Sequence, residues 1–291
     1  MAMPKPSEPN LPYSARLPRT EERNPSSMRL EKMPVGKAIE LVLREEATVS
    51  GKLLKEKANI EQVVNAIARA FRSGGRLFYI GAGTSGRLGV LDASECPPTF
   101  RAEPNMVQAI IAGGDAALKR SIEGAEDDSR AGEKVIRSKD VTRKDVVVGV
   151  AASGTTRFVW GGLIEAKRRG GFTVLVCFNP YLEIPRKIRP AVVISADMGP
   201  EVLTGSTRLK AGTATKLLLN MFTTLAMVRI GKVKENLMVD LKPSNAKLRD
   251  RAVRIVQQLT GKDYVAAKIA LENNGWVIRK AVSSPSRRRE S

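Results

Sequence analysis

The chain has 291 residues, and 42% of them are hydrophobic, which is enough to bury the core of one large domain or of a domain with a smaller one attached. Its 49 Lys and Arg residues outnumber 30 Asp and Glu residues, so the net charge is +19. The sequence contains no histidine, which excludes acid–base catalysis by imidazole and leaves carboxylates, Lys, Tyr, Cys or water for that chemistry.

Membrane and secretory segments are not predicted. No apolar run reaches the roughly 18 residues that a membrane helix needs, and the N-terminus lacks the apolar segment of a signal peptide. The two cysteines, Cys96 and Cys177, match neither a disulfide framework nor a metal-binding pattern. We therefore expect a reducing, cytoplasmic setting.

The positive charge raises the question of nucleic-acid binding. The basic residues are spread along the chain rather than gathered on one predicted element, and aromatic residues make up only 4% of the chain, so stacking platforms are scarce. We interpret the charge as a cationic surface that attracts an anionic substrate.

The first elements in chain order are a tail and two helices. Residues 1–19 are rich in proline and polar groups, which predicts a flexible tail. Apolar residues recur at helical spacing over residues 35–50 and 60–71, which predicts two amphipathic helices with one face on a core. A short buried strand is predicted next, at residues 77–80.

A glycine-rich turn follows this strand. Gly81, Gly83 and Gly86 let the backbone turn sharply and let a ligand approach closely. Thr84 and Ser85 add hydroxyl groups where the next helix begins, and a helix N-terminus favours an anion. The turn is therefore a candidate phosphate site.

Two familiar phosphate loops compete as interpretations of this turn. The P-loop requires a Lys and a Ser or Thr after its last glycine, where this chain has Arg-Leu. The dinucleotide pattern G-x-G-x-x-G matches, but the acidic residue at the required distance, Glu103, falls in a predicted loop, so NAD is disfavoured. A single phosphate ester fits better. The helix is predicted over residues 87–93, and Pro97 and Pro98 are expected to stop it.

The rest of the chain alternates strand and helix. Further buried strands are predicted at residues 106–112, 145–151, 173–178 and 191–195, with helices at 116–126 and 158–169. This alternation predicts an α/β fold with a mainly parallel five-stranded sheet between two helical layers. The turns at 81–86 and 153–156 both follow strands, so we expect them to share one edge of the sheet and one ligand.

The C-terminal part is predicted to be helical. A long apolar helix over residues 209–230 is a candidate for the core or a dimer face, and two shorter helices follow at 245–259 and 264–273. The predicted organisation is a flexible tail over 1–19, a catalytic domain over 20–242, a small helical subdomain over 243–282 and a basic disordered tail over 283–291.

Several sequence blocks, in a fixed order, resemble the N-acetylmuramic acid 6-phosphate etherases. Besides the glycine-rich turn, the similar blocks are residues 112–114 with 123–127, 149–156, 199–214, and 236–240 with 245–248. The similarity extends from about Thr20 to about Val282. It implies the SIS (sugar isomerase) phosphosugar-binding fold, which is a flavodoxin-like three-layer sandwich.

The resemblance implies cleavage of the D-lactyl ether of N-acetylmuramic acid 6-phosphate to N-acetylglucosamine 6-phosphate and D-lactate, by elimination and then hydration, in amino-sugar recycling or catabolism. It implies no cofactor and no metal, and it suggests a homodimer with sites near the subunit interface. SIS domains also serve as sugar-phosphate sensors, so a non-catalytic regulator is the alternative; an aldose–ketose isomerase is a weaker one.

The resemblance makes Glu95 and Glu126 the two catalytic glutamates. Two carboxylates in a partly dry site can act as acid and base if one of them has a raised pKa, and we assign protonation of the departing lactate to Glu95. Without the resemblance, both would be interpreted as surface residues. An acidic residue near a helix C-terminus is disfavoured by the helix dipole, so Glu95 needs another reason to be there.

Hydroxyl groups and glycines are the predicted substrate contacts. The predicted phosphate-binding residues are Gly83, Thr84, Ser85, Ser153, Gly154, Thr155 and Thr156, and further candidate substrate contacts are Ser206, Thr207 and Lys210. Helix capping is the alternative role for these residue types. Thr155 and Arg157 stand where many etherases have Arg and Pro. Cys96 is interpreted as a packed residue, because no histidine is available to activate it.

Overall fold

The computed structural model describes residues 11–14 and 16–283. Its strands are β1 (Tyr13–Ser14), β2 (Leu77–Gly81), β3 (Val107–Ile111), β4 (Val146–Val150), β5 (Phe172–Cys177), β6 (Leu182–Glu183) and β7 (Val192–Ser195). Its α-helices are α1 (Val35–Ala47), α2 (Val49–Leu54), α3 (Lys57–Arg72), α4 (Gly83–Phe100), α5 (Ala116–Lys119), α6 (Ser129–Ser138), α7 (Arg157–Arg168), α8 (Lys210–Arg229), α9 (Ala246–Thr260), α10 (Tyr264–Asn273) and α11 (Ile278–Ser283).

The central sheet has five parallel strands in the order β3-β2-β4-β5-β7. The strands are short runs of β-branched and other apolar residues that are buried on both faces, as parallel strands covered by helices require. In chain order, β2 is the first strand of this sheet and β3 is the second. Because β3 lies at the edge of the sheet beside β2, the order is that of a flavodoxin-like fold. The predicted fold class is confirmed.

Helices cover both faces of the sheet. Leu77 and Tyr79 belong to the core formed with α3, α4 and α8, whereas Phe78 and Ile80 belong to the core formed with α6 and α7. The alternation of side chains along β2 therefore divides the molecule into two hydrophobic cores. Helices α9, α10 and α11 enclose a third, smaller core, as expected for a C-terminal helical subdomain.

The helix after the glycine-rich turn differs from its prediction. The sequence pattern predicts that Pro97 and Pro98 stop the helix, but α4 continues through both of them to Phe100. The two prolines lack the N–H groups for hydrogen bonds to earlier carbonyl groups. Burial of Cys96 and Phe100 in the core next to α8 outweighs this loss, and Arg101 ends the helix in the left-handed conformation.

The segment between β3 and β4 also differs from its prediction. A helix over 116–126 is wrong: α5 ends at Lys119, and Ala125–Asp127 form a short 3-10 turn. The helix that the pattern missed is α6, which begins after Asp128 because the carboxylate of that residue accepts a hydrogen bond from the N–H of Ala131.

Two N-terminal elements, helix α1 and strand β1, differ from their predictions. Helix α1 has no buried residue, so its apolar face does not lie on a core of this chain. Conversely, part of the predicted flexible tail is paired, because β1 forms an antiparallel ladder with β6. The other tail predictions, over residues 1–10, 15 and 284–291, lie outside the described residues.

Candidate active site

The two predicted phosphate turns lie side by side. Strands β2 and β4 are parallel neighbours, and their last residues, Gly81 and Val150, are aligned. The chain therefore leaves both strands at the same edge of the sheet, into residues 82–85 and 151–156. The expectation that these two turns share one edge is confirmed.

The first turn ends at the start of α4. Gly83 has a φ of +51°, a conformation that other residues rarely adopt, so glycine favours this connection. The N-cap residue, Ala82, has no side chain that can cap the helix. Thr84 and Ser85 are half-buried, and no hydrogen bond of their hydroxyl groups is found among the described residues. Uncapped helix N–H groups and two hydroxyl groups thus lie at the same helix start, which suits an anion.

The second turn is held in shape by its own hydrogen bonds. Ser153 Oγ lies 2.9 Å from Thr155 Oγ1 and accepts a hydrogen bond of 3.3 Å from the N–H of Thr155. Trp160 Nε1 donates to the carbonyl oxygen of Gly154 at 2.7 Å. Thr156 occupies the N-cap position of α7 but does not cap it with its side chain. The turn is therefore pre-organised, with the Thr156 hydroxyl available at a helix start.

A third segment, the start of α8, adjoins the first turn. A Cβ atom placed on Gly212 would lie 3.7 Å from Thr84 Cγ2 and 3.6 Å from the carbonyl oxygen of Thr207. Ser206 and Thr207, both half-buried, are therefore close to the start of α4. The structure brings these two predicted substrate contacts next to the first turn.

Lys210 has an internal partner instead. Its side chain is buried, and its ammonium group forms an ion pair with Glu45 of α1. The anion that Lys210 meets in the structure is thus a carboxylate of the chain itself. The buried Glu201 caps α8 by accepting hydrogen bonds of 3.0 Å from the N–H groups of Lys210 and Ala211. Burial raises the pKa of Glu201, although these hydrogen bonds oppose the shift.

Glu126 lines a cavity of about 290 Å³ beside the first turn. The other side of this cavity is formed by Gly83 and Arg87 at the start of α4. Arg87 fixes the wall by donating hydrogen bonds to the carbonyl oxygens of Leu118 and Arg120. The carboxylate of Glu126 is exposed, and it lines the same cavity as Gly83 of the first turn.

Glu95 lies elsewhere. It is twelve residues after Gly83 on the same helix, which corresponds to ~18 Å along the helix axis at the usual rise. Because β2, α4 and β3 form a parallel crossover, α4 leads from the carboxyl edge of the sheet back towards its amino edge. Glu95 is exposed and is not part of the cavity that Glu126 lines. Within one chain, the two predicted catalytic glutamates are not brought together.

A buried polar network behind α4 was not predicted. The carboxylate of Asp92 accepts a hydrogen bond of 2.9 Å from the hydroxyl of Tyr79, and its other oxygen lies 3.2 Å from Thr223 Oγ1 of α8. Burial raises the pKa of Asp92 to about 6, although both hydrogen bonds oppose the shift. The sequence signal for this residue is an acidic side chain four residues before Cys96 on the apolar face of α4.

The described part of the chain contains no group of three or more Cys, Asp or Glu side chains arranged to hold a metal ion. No helix in residues 11–14 and 16–283 is long and apolar enough to cross a membrane.

Comparison with known proteins gives three kinds of match. A family model, "Glucokinase regulatory protein N-terminal SIS domain", matches residues 59–167. The chain is 51% identical over 272 residues to N-acetylmuramic acid 6-phosphate etherase of Gloeobacter violaceus, covering 94% of this chain and 88% of that protein. It is 49% identical over 249 residues to the enzyme of the same name from Francisella tularensis subsp. tularensis, with coverages of 86% and 84%. Among solved structures, phosphoheptose isomerase from Neisseria gonorrhoeae is 15% identical with a TM-score of 0.47, covering 66% of this chain and 98% of that chain.

Proposed function

The chain belongs to the family of N-acetylmuramic acid 6-phosphate etherases, and on that premise we propose that it cleaves the D-lactyl ether bond of N-acetylmuramic acid 6-phosphate. The products are N-acetylglucosamine 6-phosphate and D-lactate, and the reaction serves recycling or catabolism of cell-wall amino sugars. The observation that carries the proposal is the convergence of two hydroxyl-rich turns and the cavity of Glu126 at one edge of the sheet.

The reaction that fits this site is an elimination followed by a hydration. In the open-chain sugar, the aldehyde at C1 acidifies the proton on C2. A base removes that proton, the C3–O bond breaks, and the lactate oxygen leaves with a proton from an acid. Water then adds to the unsaturated aldehyde, its oxygen bonding to C3 and a proton returning to C2. No redox step occurs, and the water consumed accounts for the atoms gained by the two products.

The chemistry requires one base and one acid, and the chain has no histidine for either role. We assign protonation of the lactate oxygen to Glu95 and the second acid–base role, near C2, to Glu126. The position of Glu126 in a cavity beside the first turn supports its part of this assignment. The residues proposed to bind the phosphate are Gly83, Thr84, Ser85, Ser153, Gly154, Thr155 and Thr156, with Ser206 and Thr207 as further substrate contacts.

We also propose that the protein acts as a homodimer. Helix α1 exposes Val35, Ile39 and Leu43, although the pattern of its apolar residues is that of a packed helix. An apolar groove of about 630 Å³ lies between α2, α3 and α8. Contiguous exposed apolar surfaces on a globular chain are typical of contacts with a partner. Both cysteines are free and buried, as in proteins of a reducing compartment, which supports a cytoplasmic location.

The proposed activity is tested by measuring D-lactate release from N-acetylmuramic acid 6-phosphate. The unmodified chain is expected to release it, and Glu126→Gln to lose at least ~100-fold in rate, the usual contribution of an acid–base group. Glu103→Gln, a change at an exposed loop carboxylate, is the matched control and should keep full activity. Unchanged lactate release by Glu126→Gln would remove that residue from the mechanism.

The alternative function is that of a sugar-phosphate sensor. The match of residues 59–167 to the SIS domain of a regulatory protein supports this alternative. A sensor needs the phosphate turns but not the glutamates. It would bind N-acetylmuramic acid 6-phosphate in calorimetry and release no D-lactate, which would replace the etherase proposal.

A further inference from the structure

The fold gathers positive charge at the amino edge of the central sheet. Four segments lead into the strands there: residues 66–76 into β2, 133–145 into β4, 164–171 into β5 and 185–191 into β7. They contain 14 Lys and Arg residues and four Asp and Glu residues, a net charge of +10 out of the +19 of the whole chain. We call these four segments the basic edge.

The segments of the basic edge lie side by side because the strands that follow them are parallel. Val146, the first residue of β4, is aligned with Leu77 of β2 and with Phe172 of β5. The segment before β7 joins the others through Lys167, whose ammonium group donates a hydrogen bond of 2.7 Å to the carbonyl oxygen of Arg189. Residues that are far apart in the sequence therefore form one surface.

Two of the four carboxylates are buried beneath this surface. Asp145 pairs with Arg76 at 2.9 Å, and Glu165 pairs with Arg168 at 2.7 Å and with Arg137 at 3.5 Å. The side chains of Arg168 and Arg137 remain 65% and 54% exposed. One buried carboxylate thus holds two exposed guanidinium groups in place, which lowers the entropy cost of binding an anion.

Helix dipoles explain some of these positions and not others. Arg69, Arg137 and Lys167 lie in the last turns of α3, α6 and α7, where the dipole favours a cation. Arg143 and the three cations of residues 186–189 are exposed in loops, where no helix dipole favours them. A structural role therefore accounts for only part of the charge.

Three cations of the basic edge line one cavity. It has a volume of about 420 Å³ and is bordered by Arg69, Arg143 and Lys144. All three are exposed, and no ion pair or hydrogen bond of their side chains occurs among residues 11–14 and 16–283. The one carboxylate in the cavity wall, Asp145, is already engaged by Arg76. The cavity is thus a seat for an anion that the described chain does not supply.

The basic edge is remote from the candidate active site. The phosphate turns at 82–85 and 151–156 follow the strands, whereas the basic edge precedes them. Strands of five residues, such as β2 and β4, separate the two edges by ~15 Å. Attraction of substrate to the active site therefore does not account for this charge.

The side chains of the basic edge indicate phosphate groups as the ligand. Seven of its 11 exposed cations are arginines, whose planar guanidinium group binds two phosphate oxygens at once. None of the large apolar side chains that are exposed in the described chain lies in these four segments. The surface therefore offers no aromatic platform for unpaired bases and no apolar anchor for a bilayer.

The extent of the surface suits a duplex. The basic edge crosses three layers, from the end of α3 on one face of the sheet to the ends of α6 and α7 on the other. With ~10 Å between packed layers, this distance is roughly 20 Å. Each strand of a duplex carries a phosphate every 3.4 Å or so along the axis, so about six phosphates per strand lie within that length.

We propose that the basic edge binds the phosphate backbone of double-stranded nucleic acid, without regard to base sequence. The proposal is independent of the proposed etherase function, because no residue of the candidate active site takes part in it.

Fluorescence anisotropy with a labelled DNA duplex of about 20 base pairs tests the proposal. The full chain should bind two duplexes of unrelated sequence equally, with a Kd of roughly 10⁻⁴ to 10⁻⁶ M at physiological salt. In Arg69→Gln/Arg143→Gln/Lys144→Gln, the affinity should fall by ~10-fold or more, and the slope of log K against log salt should become shallower by about 3, one for each lost phosphate contact. No binding by the unmodified chain would overturn the proposal.

The control removes the same charge from another part of the chain. Arg29, Lys32 and Lys37 are exposed and lie outside the basic edge. Arg29→Gln/Lys32→Gln/Lys37→Gln should change the affinity by less than ~3-fold, the effect of net charge alone. Equal losses for the two triple variants would show that binding depends on net charge and not on the basic edge.

A membrane surface is the competing partner. Cosedimentation with vesicles of phosphatidylserine and phosphatidylcholine measures it, and binding to vesicles but not to the duplex would overturn the proposal. Release of D-lactate by the Arg69→Gln/Arg143→Gln/Lys144→Gln chain should equal that of the unmodified chain, which shows that the variant is folded. If neither chain releases D-lactate, the etherase proposal fails, and the anisotropy measurement with matched thermal unfolding of the two chains still decides this one.

Discussion

The hydroxyl of Tyr79 donates a buried hydrogen bond of 2.9 Å to the carboxylate of Asp92, which joins the central strand β2 to the inner face of α4. Asp92 is only 5% exposed, and burial raises its pKa to about 6 from an ordinary value of 3.8. Above that pH the folded protein holds a negative charge in its core. The residue therefore links the stability of the helix that bears Glu95 to pH.

Asp92→Asn should remove a pH dependence of stability. A raised pKa in the folded state gives a stabilising contribution that is present below about pH 4 and is lost as the pH rises through about 6, amounting to ~3 kcal/mol. The asparagine amide can accept from Tyr79 and donate to Thr223, whose hydroxyl can turn to the Leu219 carbonyl. Urea unfolding at pH 4.5 and 7.5 should show the variant gaining stability relative to the unmodified chain at the higher pH. A difference that does not change with pH would contradict this role.

Asp145 should have the opposite effect. It is buried before β4 and accepts hydrogen bonds from the backbone and guanidinium of Arg76 and from the N–H of Thr142. Burial alone would raise its pKa, but these hydrogen bonds outweigh burial and lower it, so its contribution is lost as the pH falls below about 4. Asp145→Ala should cost roughly 3 kcal/mol at pH 7, because it leaves Arg76 without its partner.

The control for this change is Asp140→Asn. Asp140 has an 89% exposed side chain in an ion pair with Arg169, and its positive φ suits asparagine. Exposed ion pairs contribute little, so the free energy of unfolding should change by less than ~0.5 kcal/mol. Equal losses for the two variants would contradict the structural role of Asp145.

Gly161→Ala should destabilise the contact between α6 and α7. A Cβ atom at Gly161 would lie 1.9 Å from the carbonyl oxygen of Ser129, so the two helices would have to separate. We expect a loss of ~1–3 kcal/mol, the usual cost of overpacking. Because α7 also packs on the turn that carries Glu126, D-lactate release should fall as well.

Gly51→Ala is the matched helix substitution. No atom lies within 4 Å of the added Cβ at Gly51, and alanine is the better helix former, so stability should rise by ~0.5–1 kcal/mol. Thermal unfolding of the two variants side by side measures both effects. A stable Gly161→Ala protein would mean that α6 and α7 are not packed this closely.

Thr156→Val and Thr84→Val should weaken substrate binding. Each removes one hydroxyl at a helix start that is proposed to contact the phosphate, and a hydrogen bond to a charged group contributes enough for a KM increase of ~10-fold or more. Ser138→Ala, at the exposed end of α6, should leave KM unchanged. Inorganic phosphate should compete with substrate in the unmodified enzyme and bind more weakly to both valine variants. A lower kcat with unchanged KM would instead indicate a part in the chemical step.

The sheet was predictable because its strands are uninterrupted apolar runs, such as residues 146–150, and because glycine-rich turns mark where they end. The continuation of α4 through Pro97 and Pro98 was not predictable in this way. The rule that prolines stop helices considers only neighbouring residues, whereas the burial of Phe100 depends on α8, which is distant in the sequence. The apolar spacing in α1 correctly indicates a helix but not its neighbour, because amphipathicity does not distinguish the core of one chain from the surface of another.

Part of the candidate site was predictable because glycine-rich turns mark the ends of the strands. The turns at 83–85 and 153–156 lie together because each follows the end of a parallel strand. Glu126 comes 15 residues after the end of β3, but it lines a cavity with Ala112, the residue directly after that strand. Glu95 is close to the glycine-rich turn in sequence, but the helix between them converts twelve residues into ~18 Å along its axis. Spacing in a sequence alone could not show that separation.

Isotope labelling of the ether cleavage tests the proposed chemistry most directly. The purified protein is incubated with N-acetylmuramic acid 6-phosphate in ²H₂O and separately in H₂¹⁸O, and both products are examined by mass spectrometry. Elimination followed by hydration predicts one deuterium at C2 of the sugar, ¹⁸O at its C3, and D-lactate that retains the original ether oxygen. D-lactate carrying ¹⁸O beside a sugar without deuterium would show direct cleavage at the lactyl carbon, and would contradict the roles assigned to Glu95 and Glu126.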